Sequence, residues 1–111
     1  MSCLFCAFAS EEIPVPMTYE SDAVFAIADI NPQAPTHLLI LPKVHVENAA
    51  VLAAEHPNVL AELVTVAANL ASNLELTGYR LVFNTGSSAG QSVFHAHLHL
   101  LGGRAFAWPP G

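Results

Sequence analysis

The sequence predicts one α+β domain with a mainly antiparallel sheet. Three observations carry this: short β-type runs before residue 43, apolar residues at helical spacing between 58 and 76, and two more β-type runs after residue 78. A chain of 111 residues, 53% of them hydrophobic, has material for one ordinary core, and no repeat, low-complexity tract or long linker divides it.

The elements follow in order. Met17–Glu20, Val24–Asp29 and Leu38–Leu41 read as strands, separated by Ser21-Asp22 and by the segment Asn31–Pro35. Pro32 and Pro35 make that segment a loop, placed directly after Asp29. A short helix is expected over roughly residues 47–54. Leu60, Leu63, Val64, Ala67, Leu70, Ala71 and Leu74 recur every three or four residues and predict the long helix over 58–76. Pro57 suits its first turn, and Thr77-Gly78 is expected to stop it. Strands then return at Tyr79–Asn84 and Phe94–Leu101.

Charge narrows the partners. Three basic residues, Lys43, Arg80 and Arg104, face nine acidic ones, a net charge of −6, so no stripe of cations exists to neutralise a polyanion. Nucleic acid and anionic membrane are poor partners. The opening Met1-Ser2-Cys3 lacks a basic leader, and apolar runs fall well short of the ~18 residues of a membrane span, so a soluble cytoplasmic protein is expected. The two cysteines, Cys3 and Cys6, stand at Cys-x-x-Cys spacing, which leaves disulfide, redox dithiol and metal clip open. A cytosolic setting disfavours the disulfide, and the missing preceding strand disfavours a thioredoxin-like dithiol.

Three of the six histidines fall in His95-Ala96-His97-Leu98-His99. On a strand their side chains share one face, with neighbouring imidazoles about 6.5–7 Å apart. Burying three imidazoles in an apolar strand costs free energy unless each has a partner, so the alternation points to function. Ligands on one straight strand do not readily converge three at a time on one ion, although two can. Upstream, Asn84–Val93 forms a small glycine-bearing loop whose N–H groups could cradle an anion; it lacks the Gly-Lys-Ser/Thr ending of a P-loop.

The stretch Gln91-Ser92-Val93-Phe94-His95-Ala96-His97-Leu98-His99-Leu100-Leu101 resembles the histidine triad (HIT) superfamily motif, His-φ-His-φ-His-φ-φ with φ apolar. Asp29–His37, the strand Leu38–Pro42 and the tail Gly102-Gly103-Arg104 to Trp108-Pro109-Pro110-Gly111 are similar to its nucleotide-binding HINT branch. The resemblance implies about five antiparallel strands with one long and one short helix, and a homodimer whose sheets join. It implies hydrolysis of purine nucleoside phosphoramidates and related AMP-type esters, with His97 as nucleophile and a nucleotidyl-histidine intermediate. Imidazole, with an ordinary pKa of ~6.5, offers a neutral nitrogen for that attack.

By the same resemblance His99, His37 and Ser92 hold the phosphate, orient the reacting imidazole and assist the leaving group. Asp29 binds ribose hydroxyls, Ile13 and Ile30 hold the base, and Asn84, Gly90, Gln91, Ser92 and Val93 complete the nucleotide contacts. Some family members bind structural zinc, and here its ligands are expected to be Cys3, Cys6, His45 and His95. Residues 1–111 then form one domain, with 1–12 as a zinc-clip segment and 102–111 as a tail near the dimer partner's site. The other readings carried forward are dinucleoside polyphosphate hydrolysis, a nucleotide-binding module with little catalysis, and a hydrolase with an open zinc site at the triad. No organic cofactor is expected.

Overall fold

The computed structural model describes residues 3–111, so the first two residues of the 1–12 clip segment lie outside it. Five strands form one sheet: β1 (Tyr19–Glu20), β2 (Val24–Ala28), β3 (Thr36–Pro42), β4 (Tyr79–Val82) and β5 (Leu98–Gly102). Their spatial order is β1-β2-β3-β5-β4, and every neighbouring pair is antiparallel. Among the described residues there are three α-helices: α1 (Leu4–Ala9), α2 (Ala49–Glu55) and α3 (Pro57–Asn73).

Strand alternation sorts two cores. Val24, Ala26, Leu38, Ile40, Leu98 and Leu100 meet Leu52 of α2 and Leu63, Val66, Ala67 and Ala71 of α3 on one face. Phe25, Ile27, Leu39 and Leu41 meet Phe5 of α1 on the other. The central strands are therefore covered on both sides, which is why β2 and β3 read as nearly continuous apolar runs.

Four expectations need correction. Helix α1 was not foreseen; six residues are too few to show a helical period, and its N-cap is the Cys3 thiol, which accepts from the Cys6 N–H at 3.4 Å. The buried stripe of α3 runs through Val66, while Val64 is 43% exposed, so the helix is rotated from the expected face. This helix ends at Asn73, before Thr77-Gly78, because Glu75 adopts the left-handed conformation at φ 58°. The Leu76 N–H then donates to the Ala71 carbonyl and the Glu75 N–H to that of Ser72, both at 3.0 Å, closing a Schellman cap without glycine.

The fourth concerns the histidine strand, which begins at Leu98 and not at Phe94. Upstream of it the main chain is spent elsewhere. The Ala96 N–H donates to the Val46 carbonyl, the His95 carbonyl accepts from His97 Nδ1, and the Val93 carbonyl accepts from the Gln91 amide. With those groups turned to other partners, the ladder starts only at Leu98.

Candidate active site and metal centre

His99 is paired opposite both Leu39 and Val82 in the sheet, and His37 is the second residue of β3, just past the loop after Asp29. The ends of β2, β3 and β5 therefore deliver Asp29, His37 and His99 to one point. The rings of His97 and His99 lie 5.1 Å apart, closer than an ideal strand allows, because His97 stands just outside the ladder.

Asp29, His97 and His99 border a cavity of about 500 Å³. Of the expected nucleotide contacts, Asp29, Ile30, Asn84, Gly90, Ser92, Val93, His97 and His99 line it. His37 stands behind His99 and Gln91 behind the loop. The Gln91 carboxamide braces that loop, accepting from the Gly86 N–H and donating to the Glu47 and Val93 carbonyls, while its N–H is spent on the Gly86 carbonyl. The Ser92 and Val93 amides find no acceptor among the described residues and stay free for an anion. Gly90, at φ 93°, makes the turn that presents them.

Ile13 is not brought to this cavity; it lines a separate depression with Glu11, Pro14 and Met17. The apolar wall is built instead by Leu4, Phe5 and Phe8 of α1, with Val15, Ile27 and Leu39. Sequence reasoning missed these helix residues, because a helix of six residues leaves no period to read. A larger depression of about 740 Å³, beside Glu75–Arg80 and the tail, contains none of the expected site residues.

Hydrogen bonds assign the tautomers. His97 Nδ1 lies 2.8 Å from the His95 carbonyl, which can only accept, so Nδ1 carries the proton and Nε2 keeps its lone pair. His37 Nδ1 accepts from the Gln33 N–H at 3.0 Å, so its proton sits on Nε2, 2.9 Å from His99 Nδ1 and 3.3 Å from Asp29 Oδ2. His99 then carries its own proton on Nε2, a buried atom with no partner among the described residues. Burial, then the neighbouring His97 and His37, push the His99 pKa down to about 4, against the opposing pull of Asp29. This ring is a neutral donor.

The second cluster joins Cys3, Cys6, His45 and His95, whose ligand atoms all lie within 4.8 Å of one another. Individual separations are 3.4 Å for Cys3 Sγ to His95 Nδ1, 3.3 Å for Cys6 Sγ to His45 Nδ1, and 3.2 Å between the two Nδ1 atoms. A tetrahedral zinc with ordinary Zn–N and Zn–S bonds sets its ligands roughly 3.3–3.7 Å apart. The fully buried His95 donates Nε2–H to the Pro42 carbonyl at 2.8 Å, which directs the Nδ1 lone pair into the cluster. Its burial also lowers the ring's pKa. Without a cation, burial and the neighbouring Cys3 hold the Cys6 thiol up at about 11; a dication reverses that preference. The donor set fits zinc, and four protein ligands close the site.

A sheet of this order, with His95 and His97 leading into β5 and His99 on it, defines the class of protein. The HIT domain family matches residues 10–106, and the chain belongs to that family. It is 44% identical over 103 residues to the purine nucleoside phosphoramidase of Escherichia coli K12, covering 91% of this chain and 87% of that protein. It is 48% identical over 111 residues to the 14 kDa zinc-binding protein of Zea mays, covering 97% of this chain and 87% of that one. A HIT family hydrolase from Legionella pneumophila superposes with a TM-score of 0.93 at 48% identity, over 99% of this chain and 100% of that one.

Proposed function

We propose that this protein is a nucleoside phosphoramidate hydrolase that works through a covalent nucleotidyl group on His97, with purine AMP-type derivatives as substrates. The observation that carries the reading is the His97 tautomer: the His95 carbonyl holds Nδ1–H, leaving Nε2 as a nucleophile at the cavity. The purine nucleoside phosphoramidase named among the relatives supports the substrate class.

His97 Nε2 attacks the α-phosphorus, and a P–Nε2 bond forms as the P–N bond to the amine breaks. The departing nitrogen keeps the bonding pair and takes a proton, which the Ser92 hydroxyl at the cavity rim delivers from solvent. His99 Nε2–H and the free Ser92 and Val93 amides donate to the phosphoryl oxygens as charge builds there. Water then attacks phosphorus, the P–Nε2 pair returns to His97, and the nucleoside monophosphate leaves. Asp29 accepts from the ribose hydroxyls, while Ile30 and the α1 wall hold the base. Zinc, held by Cys3, Cys6, His45 and His95, supplies a crosslink that seats α1.

The same reading includes a homodimer formed through β4, one of the two outer strands of the sheet, on which Tyr79 is exposed. Trp108, 83% exposed in the tail, then meets the partner's site. No helix of the described residues is long and apolar enough to cross a membrane, and we place the protein in the cytoplasm, where both thiols stay reduced.

Adenosine 5′-phosphoramidate turnover by wild type and His97→Ala tests the activity. The variant is expected to lose roughly 10³-fold or more in kcat/KM while still binding AMP, and rapidly quenched wild type to carry the added nucleotidyl mass. Normal turnover by His97→Ala would sink the proposal. Wild-type AMP binding without turnover would instead mark a binding module.

A further inference from the structure

We propose that Arg104 is a positioning residue which, through the main chain of Gln33, sets the proton on His37 and thereby makes His99 a donor. The inference rests on the hydrolase reading above for its consequence, and on the tail and the loop for its geometry.

The tail lies directly on the loop after Asp29. A Cβ at Gly103, where φ is 89°, would come within 2.9 Å of Pro35 Cβ, so only a glycine lets the tail pass this close. One residue on, Arg104 Nε donates to the Gln33 carbonyl at 3.1 Å and Nη1 to the Ala105 carbonyl at 3.0 Å. Its guanidinium sits 4.3 Å from the Phe106 ring centroid, so the side chain is held by two hydrogen bonds and a ring face.

Gln33 is held from the other side as well. Its carboxamide donates to the Asn31 carbonyl at 3.0 Å, and the Asn31 N–H donates to Asp29 Oδ1 at 2.8 Å. With the loop seated in this way, the Gln33 N–H points at His37 Nδ1.

That amide, together with Asp29 Oδ2 at 3.3 Å from His37 Nε2, sets the direction of the chain. While the amide donates to Nδ1, His37 must carry its proton on Nε2 and His99 must accept on Nδ1, so the His99 proton sits on Nε2, a buried and unpartnered atom of a ring that lines the cavity. Take the amide away and only Asp29 Oδ2, 3.3 Å from His37 Nε2 but 3.9 Å from His99 Nδ1, still favours the proton on His37 Nε2, so the reversed order becomes populated beside it. In the reversed order His99 presents a lone pair to a phosphoryl oxygen. Arg104 keeps the amide in place without touching the substrate.

The test reads the histidine ring nitrogens by 15N NMR without substrate, alongside steady-state kinetics. In wild type, His37 Nδ1 is expected at the unprotonated position. In Arg104→Ala it should move toward the averaged position of mixed tautomers, and kcat should fall roughly tenfold at little change in KM. Arg104→Lys, which keeps one donor, should recover part of both. Arg80→Ala is the control: Arg80 lies over the same Phe106 ring and donates to the Ala107 carbonyl, but makes no bond to the loop. Unchanged His37 signals in Arg104→Ala, or an equal shift in Arg80→Ala, would overturn the proposal. Because the ring signals need no turnover, a wild type that fails to hydrolyse phosphoramidate would sink the activity and leave this test standing.

Discussion

Two clusters in this molecule have metal-ligating side chains at metal-ligating distances, yet the backbone gives them opposite chemistry. Cys3, Cys6, His45 and His95 form one; Asp29, His37 and His99 form the other. In the first, the ring nitrogen facing away from the cluster donates to a carbonyl, that of Pro42, so the inward nitrogen of His95 offers a lone pair. In the second, the outward nitrogen of His37 accepts from an amide, that of Gln33, so the inward nitrogen offers a proton. A metal bound at His37 Nε2 would force a proton onto Nδ1, against the Gln33 N–H. Residue type and spacing therefore do not separate a zinc clip from a proton chain; the main-chain group behind each ring does.

The largest effect expected from this difference is in metal content. Protein purified without chelator should carry one zinc per chain, and His95→Ala or Cys6→Ser should carry none. His37→Ala and His99→Ala should keep theirs. At zinc a thousandfold above its Kd the bound ion contributes about 4 kcal/mol to folding, which chelation should remove. A second zinc lost with His37 would break the comparison.

Next in size is catalysis in the second cluster. Removing a donor aimed at developing phosphoryl charge costs roughly 10²–10³ in kcat, and His99→Ala should show that loss with zinc unchanged. Comparable loss of zinc in this variant would mean that the two clusters are not separable.

Acid should sharpen the contrast further. The His99 pKa of about 4 in the folded chain lies below the ordinary 6.5, so between those values the unfolded state binds more protons. Stability is therefore lost as pH falls from about 6.5 to 4 and levels off below. Discounted for the solvent that still reaches the ring, the contribution is about 1–2 kcal/mol. Since acid also releases zinc, the quantity to measure is the difference between wild type and His99→Gln by denaturant unfolding; parallel pH profiles would exclude this origin.

What was legible beforehand follows the same division. β2 and β3 could be read because strands covered on both faces leave nearly continuous apolar runs, α3 because burial of one helix face leaves a period, and the three histidines because imidazoles alternating in an apolar run have no bland cause. Helix α1 was too short to leave a period, and its Cys3 cap carried a stronger signal as a metal ligand. The strand break before Leu98 and the glycine-free stop at Glu75 depend on which partners the main chain finds in the folded chain. The tautomers lay beyond reach for the same reason: Pro42 and His95 are 53 residues apart, and only folding brings a carbonyl behind that ring.

The smallest effect concerns a residue that stands between the first cluster and His97. Phe5 lies between the cysteines in sequence, and its ring meets His95 edge-on at 5.9 Å and His97 at 5.1 Å between centroids. It also lines the cavity, so an ion bound by Cys3 and Cys6 would seat one wall of that cavity. Coupling of this kind is reciprocal: whatever factor zinc adds to AMP affinity, AMP must add to zinc affinity. We expect about fivefold, or ~1 kcal/mol, near the lower end of such couplings. Titrating AMP into zinc-loaded and zinc-free protein, and zinc into AMP-bound and free protein, measures both arms. In Phe5→Leu, which keeps an apolar side chain but loses the edge contacts, the two arms should shrink together while one zinc is still bound. An AMP affinity indifferent to zinc would show that the clip anchors the N-terminus and nothing more.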